Sequence, residues 1–268
     1  VIDILEGEDY DFLPEKMVVD YAGRLYILPQ NINMGILQMD ENGLYMGFIG
    51  APKVKMDIIE LLWRKVSTKA QKDRMVKFVP TEYGSIAIDK DGFLYVTAKT
   101  TNVDPISRLN TQGVNVLKVS DDDAKPKGDS GYRFESKMLQ ANFSGIAIRD
   151  DGSYLALDSQ LGRIYLYDSE GNMLSTFGGK GAQLGRFYTP SDVETVGESI
   201  LVIDKSGGTL TEFRRTEFGR LVDTAVDMQR RGDYDGAYSV WLEVLKSCSR
   251  YPLAEESLAR IEIQRGQY

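Results

Sequence analysis

Apolar and polar residues alternate along most of the chain, and turns interrupt the alternation at regular intervals. Ile86-Ala-Ile-Asp89 leads through Lys90-Asp-Gly92 into Phe93-Leu-Tyr-Val96. Ile146-Ala-Ile148 leads through Asp150-Asp-Gly152 into Tyr154-Leu-Ala-Leu157. Met17-Val-Val-Asp20 leads through Tyr21-Ala-Gly23 into Leu25-Tyr-Ile-Leu28. Period-2 runs joined by Asp-Gly-type turns predict antiparallel hairpins, because such turns need the positive φ that glycine supplies. A second turn follows each first one at a near-constant offset: Gly23 precedes Gly43 by 20 residues, Gly92 precedes Gly113 by 21 and Gly152 precedes Gly171 by 19. Four segments therefore share one pattern, Met17–Gly50, Ser85–Ser120, Gly145–Gly178 and Asp192–Arg215. Each is expected to supply four short antiparallel strands. Such a unit cannot bury both faces alone, and radial stacking of units of this kind makes a β-propeller.

Two stretches break the array. Residues 54–77 carry Ile58, Leu62 and Val66 on one helical face, with a capping-box pattern at Thr68-Lys-Ala-Gln71. Residues 121–137 are polar and read as a long loop. Near Thr216 the period changes from 2 to 3.6. Phe218, Leu221, Val222, Ala225 and Met228 make one stripe; Ala237, Tyr238, Trp241, Val244, Leu245 and Cys248 make a second. Pro252 is placed to open a third helix with Leu258 and Ile261 on its apolar side. Ala225 recurs as Ala259, Arg231 as Arg265, Gly232 as Gly266 and Tyr234 as Tyr268, each 34 residues on, the period of tetratricopeptide repeats. The expected organisation is a mainly β region over 1–215, with the two inserts, then an all-α tail over 216–268. Because the second helical repeat is cut at its first turn, the natural chain is expected to continue.

Composition narrows the chemistry. Lys and Arg number 32 against 40 Asp and Glu, a net charge of −8, and nucleic-acid binding is not expected of so acidic a chain. Histidine is absent, which excludes Ser–His–Asp and Cys–His catalysis and any His-ligated zinc. The single cysteine, Cys248, permits no internal disulfide and is expected to be a buried thiol in the tail. Trp241 falls at a helix-packing position and Trp63 on the predicted insert. Gly178-Gly-Lys-Gly181 lacks the Gly-Lys-Ser/Thr ending of a phosphate loop and is not read as one.

The segment Thr176 to Pro190 (TFGGKGAQLGRFYTP), with Val193 and Ile200-Leu-Val-Ile-Asp204, resembles NHL-repeat propellers, as does Arg163-Ile-Tyr-Leu-Tyr-Asp168. The resemblance runs over roughly residues 12–215. The whole order is similar to a bacterial, mainly Firmicute, family in which an NHL propeller of about six blades precedes tetratricopeptide-like helices and a Yip-type membrane domain. That resemblance implies an NHL-like propeller with four visible blades. It also implies an extracytoplasmic position anchored through a segment outside this chain, although composition leaves a cytoplasmic one open, and an association with carbohydrate importers of the ABC class.

Two functions follow. The first is a non-catalytic scaffold that binds a protein partner or a glycan, ABC importer components among the partners. Its ligand-binding face would be the polar loops after the second strand of each unit, carrying Asn31, Asn33, Asn102, Asp104, Asp158, Gln160, Asp204 and Lys205. Tyr83, Phe143 and Tyr188 stand before new units and would offer stacking faces. The plain alternative is that the Asn and Asp serve turn geometry. The second function, prompted by the gluconolactonase-like label some relatives carry, is a calcium-dependent hydrolase. Asn33, Asn102, Asp104, Asp158 and Asp204 would then converge as oxygen ligands. No cofactor is required by the first reading, and calcium is the one possible by the second.

Overall fold

The computed structural model describes residues 12–30, 34–50, 82–99, 104–117, 126–128, 130–134 and 137–266. The predicted helical insert 54–77 with Trp63, the acidic run 121–123, and Asn31, Asn33 and Asn102 lie outside the described residues. The chain divides into two compact units, Val1–Ala124 with Asn142–Ile146, and Lys125–Ala141 with Ala147–Tyr268.

The first unit holds two up-and-down sheets. One runs β1 (Leu13–Val19), β2 (Leu25–Gln30), β3 (Ile36–Met39) and β4 (Tyr45–Ile49), in sequence order and antiparallel. The other runs β5 (Tyr83–Ile88), β6 (Leu94–Ala98) and β7 (Ile106–Leu109). Tyr26, Leu28, Ile36, Ile86, Leu94 and Val96 interleave into one core between them. Ile27, Leu37 and Met39 form a second cluster. The middle strands β2 and β3 are thus buried on both faces, which explains why they read as continuous apolar runs.

The second unit opens with a two-stranded ribbon, β8 (Gly131–Phe134) and β9 (Lys137–Gln140), so the stretch read as a polar loop over 121–137 contains a strand at its end. Gly131-Tyr-Arg-Phe is too rich in aromatic residues to remain a loop once Lys137-Met-Leu-Gln offers it a partner. A four-stranded meander follows, β10 (Phe143–Ile148), β11 (Tyr154–Asp158), β12 (Arg163–Tyr167) and β13 (Met173–Gly178). β10 straddles the division between the units. Then come β14 (Pro190–Val196), β15 (Ser199–Asp204) and β16 (Thr209–Phe213). Ala147, Leu155, Leu157, Ile164, Val193 and Val202 pack these two sheets together.

The fold is therefore mainly β, with antiparallel sheets and three helices. Two of the four expected meanders have three strands among the described residues, not four. After β7 the described residues 110–117 make an isolated bridge, Leu109 to Asn115. After β16, Thr216 caps a helix before another strand can start, its side chain accepting from the Gly219 amide.

One turn recurs at the hairpins. Asp20, Asp40, Asp89, Asn110 and Asp168 each accept, through Oδ1, the amides two and four residues on, at 2.7–3.0 Å. Three residues after each stands a glycine with φ between 74° and 83°. The side chain holds the turn and the glycine lets it close.

The tail forms α1 (Glu217–Arg230), α2 (Tyr234–Ser247) and α3 (Pro252–Gln264). Val222, Ala225, Ala237, Trp241, Val244, Leu258 and Ile261 make its core, which also takes in Leu174 of β13. The 34-residue spacing is visible in the helix ends: Arg231 and Arg265 are both C-caps, and Gly232 and Gly266 follow with φ of 82° and 67°. Cys248 is half-buried, not buried, because it ends α2 in an extended conformation and leaves the stripe that Trp241 and Val244 continue. No helix among the described residues is long and apolar enough to cross a membrane.

Candidate functional site

The second unit gathers Asp158, Gln160, Tyr188, Asp204 and Lys205 at one end of its two sheets. Asp158 and Asp204 are the last residues of β11 and β15. Both are buried, and both bind backbone. Asp158 Oδ1 accepts from the amides of Gln160 at 2.9 Å and Leu161 at 3.2 Å. Asp204 accepts from four: Tyr188 at 2.6 Å, Thr189 at 2.9 Å, and Ser206 and Gly207 at 3.1 Å each. Burial pushes the Asp204 carboxyl up, but the amides of Thr189, Gly207, Tyr188 and Ser206 outweigh it and hold the group below the ordinary carboxylate range. These carboxylates shape the loops.

Lys180 joins the two loops. Its Nζ donates to the carbonyls of Ser159 at 2.7 Å and Tyr188 at 2.8 Å. The Gly-Gly-Lys-Gly run supplies the path: Gly179 donates to Gly162 O, Phe187 to Gly179 O, and Lys180 bridges Phe187 in parallel. Gly162 requires glycine, since a Cβ there would lie 2.8 Å from Gly179 O. Sequence reading set Lys180 aside with the rejected phosphate loop; two flanking glycines between strands were the available signal for a connector.

The groups left to face solvent are Gln160, Lys205 and Tyr188, a residue 56% exposed. Tyr188 is held on both sides, its amide by Asp204 and its carbonyl by Lys180. An aromatic ring on so fixed a backbone is a preorganised contact surface.

In the first unit Tyr83 is half-buried and donates its hydroxyl to Gly50 O. Burial pushes that hydroxyl above the ordinary phenol range. Asp104 is half-buried before β7; Tyr83 pairs with Ala98, which donates to Pro105 O. Phe143 is 1% exposed, so it packs inside and offers no stacking face. Nearby Lys99 contacts Glu15 at 2.8 Å and Glu82 at 3.5 Å, an ion cluster that sequence reading missed because the partners lie far apart in the chain. Among the described residues no three His, Cys, Asp or Glu side chains cluster as a metal site requires.

No family model matches the sequence, and no curated protein matches it. Solved structures do. A catalytically inactive virginiamycin B lyase from Staphylococcus aureus, with quinupristin, is 14% identical, covering 76% of this chain and 58% of that one with a TM-score of 0.37. The selenomethionine-substituted lyase is 16% identical over 79% of this chain and 73% of that one, TM-score 0.38. A protein of unknown function from Bacteroides thetaiotaomicron is 14% identical over 74% of this chain and 46% of that one, TM-score 0.45. The chain thus spans less than two thirds of the first and third of these structures.

Proposed function

We propose that the meanders are blades of an NHL-type propeller and that the chain is a non-catalytic binding module of a bacterial cell-envelope protein. Its ligand is a glycan or a protein partner, in the service of carbohydrate uptake through an ABC-class importer. The observation that carries this reading is Tyr188: an exposed residue on a backbone clamped from both sides. Stacking of a sugar face or a peptide on an exposed aromatic held on a fixed backbone suits recognition better than bond cleavage. Asp158 and Asp204, the carboxylates a hydrolase would use, already accept backbone amides.

The test is calorimetric titration with calcium and then a panel of plant oligosaccharides, with lactone hydrolysis followed in parallel. The expected outcome is oligosaccharide binding without turnover, weakened about tenfold or more in Tyr188→Ala, as truncation of an aromatic anchor does. Calcium-dependent lactone hydrolysis would overturn the reading.

A further inference from the structure

The second unit has two apolar cores. One lies between its sheets, with Leu166, Phe177 and Phe213 packed at its border. The other belongs to the tail and takes in Leu174 and Val222, with Leu166 and Phe218 at its border. Where β12, β13 and β16 meet α1 the two cores do not close on each other, and a cavity of about 290 Å³ remains. Leu166, Leu174, Phe177, Phe213, Phe218 and Val222 supply its wall. Leu166 and the three phenylalanines are half-buried, so each packs on a core and still keeps apolar surface open.

The charged residues of the lining are Arg149, Arg214, Arg215 and Asp223. Arg214 pairs with Glu212 at 2.9 Å, and Arg215 with both Asp151 at 2.7 Å and Asp223 at 2.8 Å. Arg149 opens the β10–β11 turn, where five other turns carry Asp or Asn; its amide donates to Ser153 O, and Asp151 takes the Ser153 amide. Its side chain is 6% exposed, Nη1 is shut off from solvent, and Asp151, Asp223 and Glu198 all lie in electrostatic range of it. The polar side of the cavity is thus a network whose charges answer one another. Through Asp151 and Asp223, Arg215 also fixes α1 against the β10–β11 turn. A helix held in that way cannot settle into the space beside it.

We infer that this cavity is a binding site for a small uncharged aromatic molecule of about two fused rings. Charge, size and wall each contribute. An ion would leave water for a lining in which every charge already has an opposite beside it, whereas an apolar guest gains from burial alone. An apolar cavity of about 150 Å³ holds one benzene ring, and this one is about twice that size. The rings of Phe177 and Phe213 stand 5.0 Å apart and tilted at 55°, so the wall offers an aromatic guest both faces and edges. Tyr188 is not in the lining, so the site is separate from the surface proposed above.

The experiment is an NMR titration of the full chain with naphthalene, naphthoate and naphthylmethylammonium. Naphthalene is expected to bind at least about tenfold tighter than either ion, because neither charge finds a partner. Its protons should give intermolecular NOEs to the methyl groups of Leu174 and Val222. Val222→Phe, which puts a ring into the cavity, should abolish the binding. Should that variant fail to fold, the comparison of the three ligands and the NOEs, both made on the parent chain, decide the matter. No binding up to saturating naphthalene, equal affinity for naphthalene and either ion, NOEs to another part of the chain, or binding unchanged in a folded Val222→Phe would each overturn the assignment. So would self-association of the chain that excludes naphthalene, which would give the cavity to a second copy.

Discussion

Tyr251 donates its hydroxyl to the backbone carbonyl of Leu174, 2.6 Å away and 77 positions earlier in the chain. The bond ties the residue just before α3 to β13, the last strand of a four-stranded sheet. Around it, the Tyr251 ring stands edge-on to Phe218 at 5.5 Å and stacks with Trp241 at 6.3 Å. Tail and sheet therefore share one core. Tyr251→Phe keeps the ring and removes the donor, leaving the Leu174 carbonyl without it. It is expected to cost about 1–2 kcal/mol, read as a lower urea midpoint with unchanged slope. An unchanged midpoint would mean that solvent serves the carbonyl equally well.

Trp241 is fully buried and donates Nε1 to Gln229 Oε1 at 3.0 Å, joining α2 to α1. Trp241→Ala should cost about 3–5 kcal/mol, since it leaves a cavity and an unpaired amide. Circular dichroism at 222 nm during thermal melting should show the helical signal lost at lower temperature. A melt identical to that of the parent chain would contradict the packing.

Asp204 predicts a pH dependence of definite sign. Its folded pKa is depressed, so its contribution is complete above the unfolded value, about 3.9, and is lost as pH falls through the lower folded value. Asp204→Asn should destabilise the protein at neutral pH, because one amide oxygen cannot replace two carboxylate oxygens that accept four donors. The stability difference between parent and variant should shrink as the solution is acidified below about pH 4. A difference that stays constant down to low pH would show that the charge is not what holds these loops.

Two glycines with similar backbones should respond differently. Gly92 has φ of 83° and open space around a would-be Cβ; Gly113 has φ of 74°, and its Cβ would lie 2.2 Å from Gly50 N. Gly92→Ala is expected to cost about 1 kcal/mol from backbone strain alone. Gly113→Ala must also push the chain away from Gly50, within the same unit, and should cost several times as much. Equal losses in denaturation midpoint would refute the close approach.

The hairpins were legible because their signals are local: an apolar alternation of period 2 and a glycine at each turn suffice to place most strands. The helices were legible for the same reason, down to Pro252 opening the last of them. The strand count was less so. Among the described residues β16 is followed by a helix capped at Thr216, and β7 by the Leu109–Asn115 bridge, neither of which a local alternation of apolar and polar residues announces. Asp158 and Asp204 sit where polar loop residues were expected, but their oxygens serve the backbone, and sequence does not say whether an Asp at a strand end looks inward to amides or outward to a ligand. Arg149 could have been found by aligning the turns on their glycines, where it stands alone among acids and amides. Its burial could not.

The stapled turns bear on how the chain reaches this structure. Each of the five is specified within five consecutive residues, so a hairpin begins to close before any distant partner arrives, on the microsecond scale typical of such loops. The chain thereby has several equivalent places to start, and its early steps carry little loop-closure cost. The turn at Arg149 lacks that staple and waits for the strands around it. Mutational φ-values are expected to be higher at Asp89 than at Ser153, which would make the β10–β11 hairpin a late step of assembly.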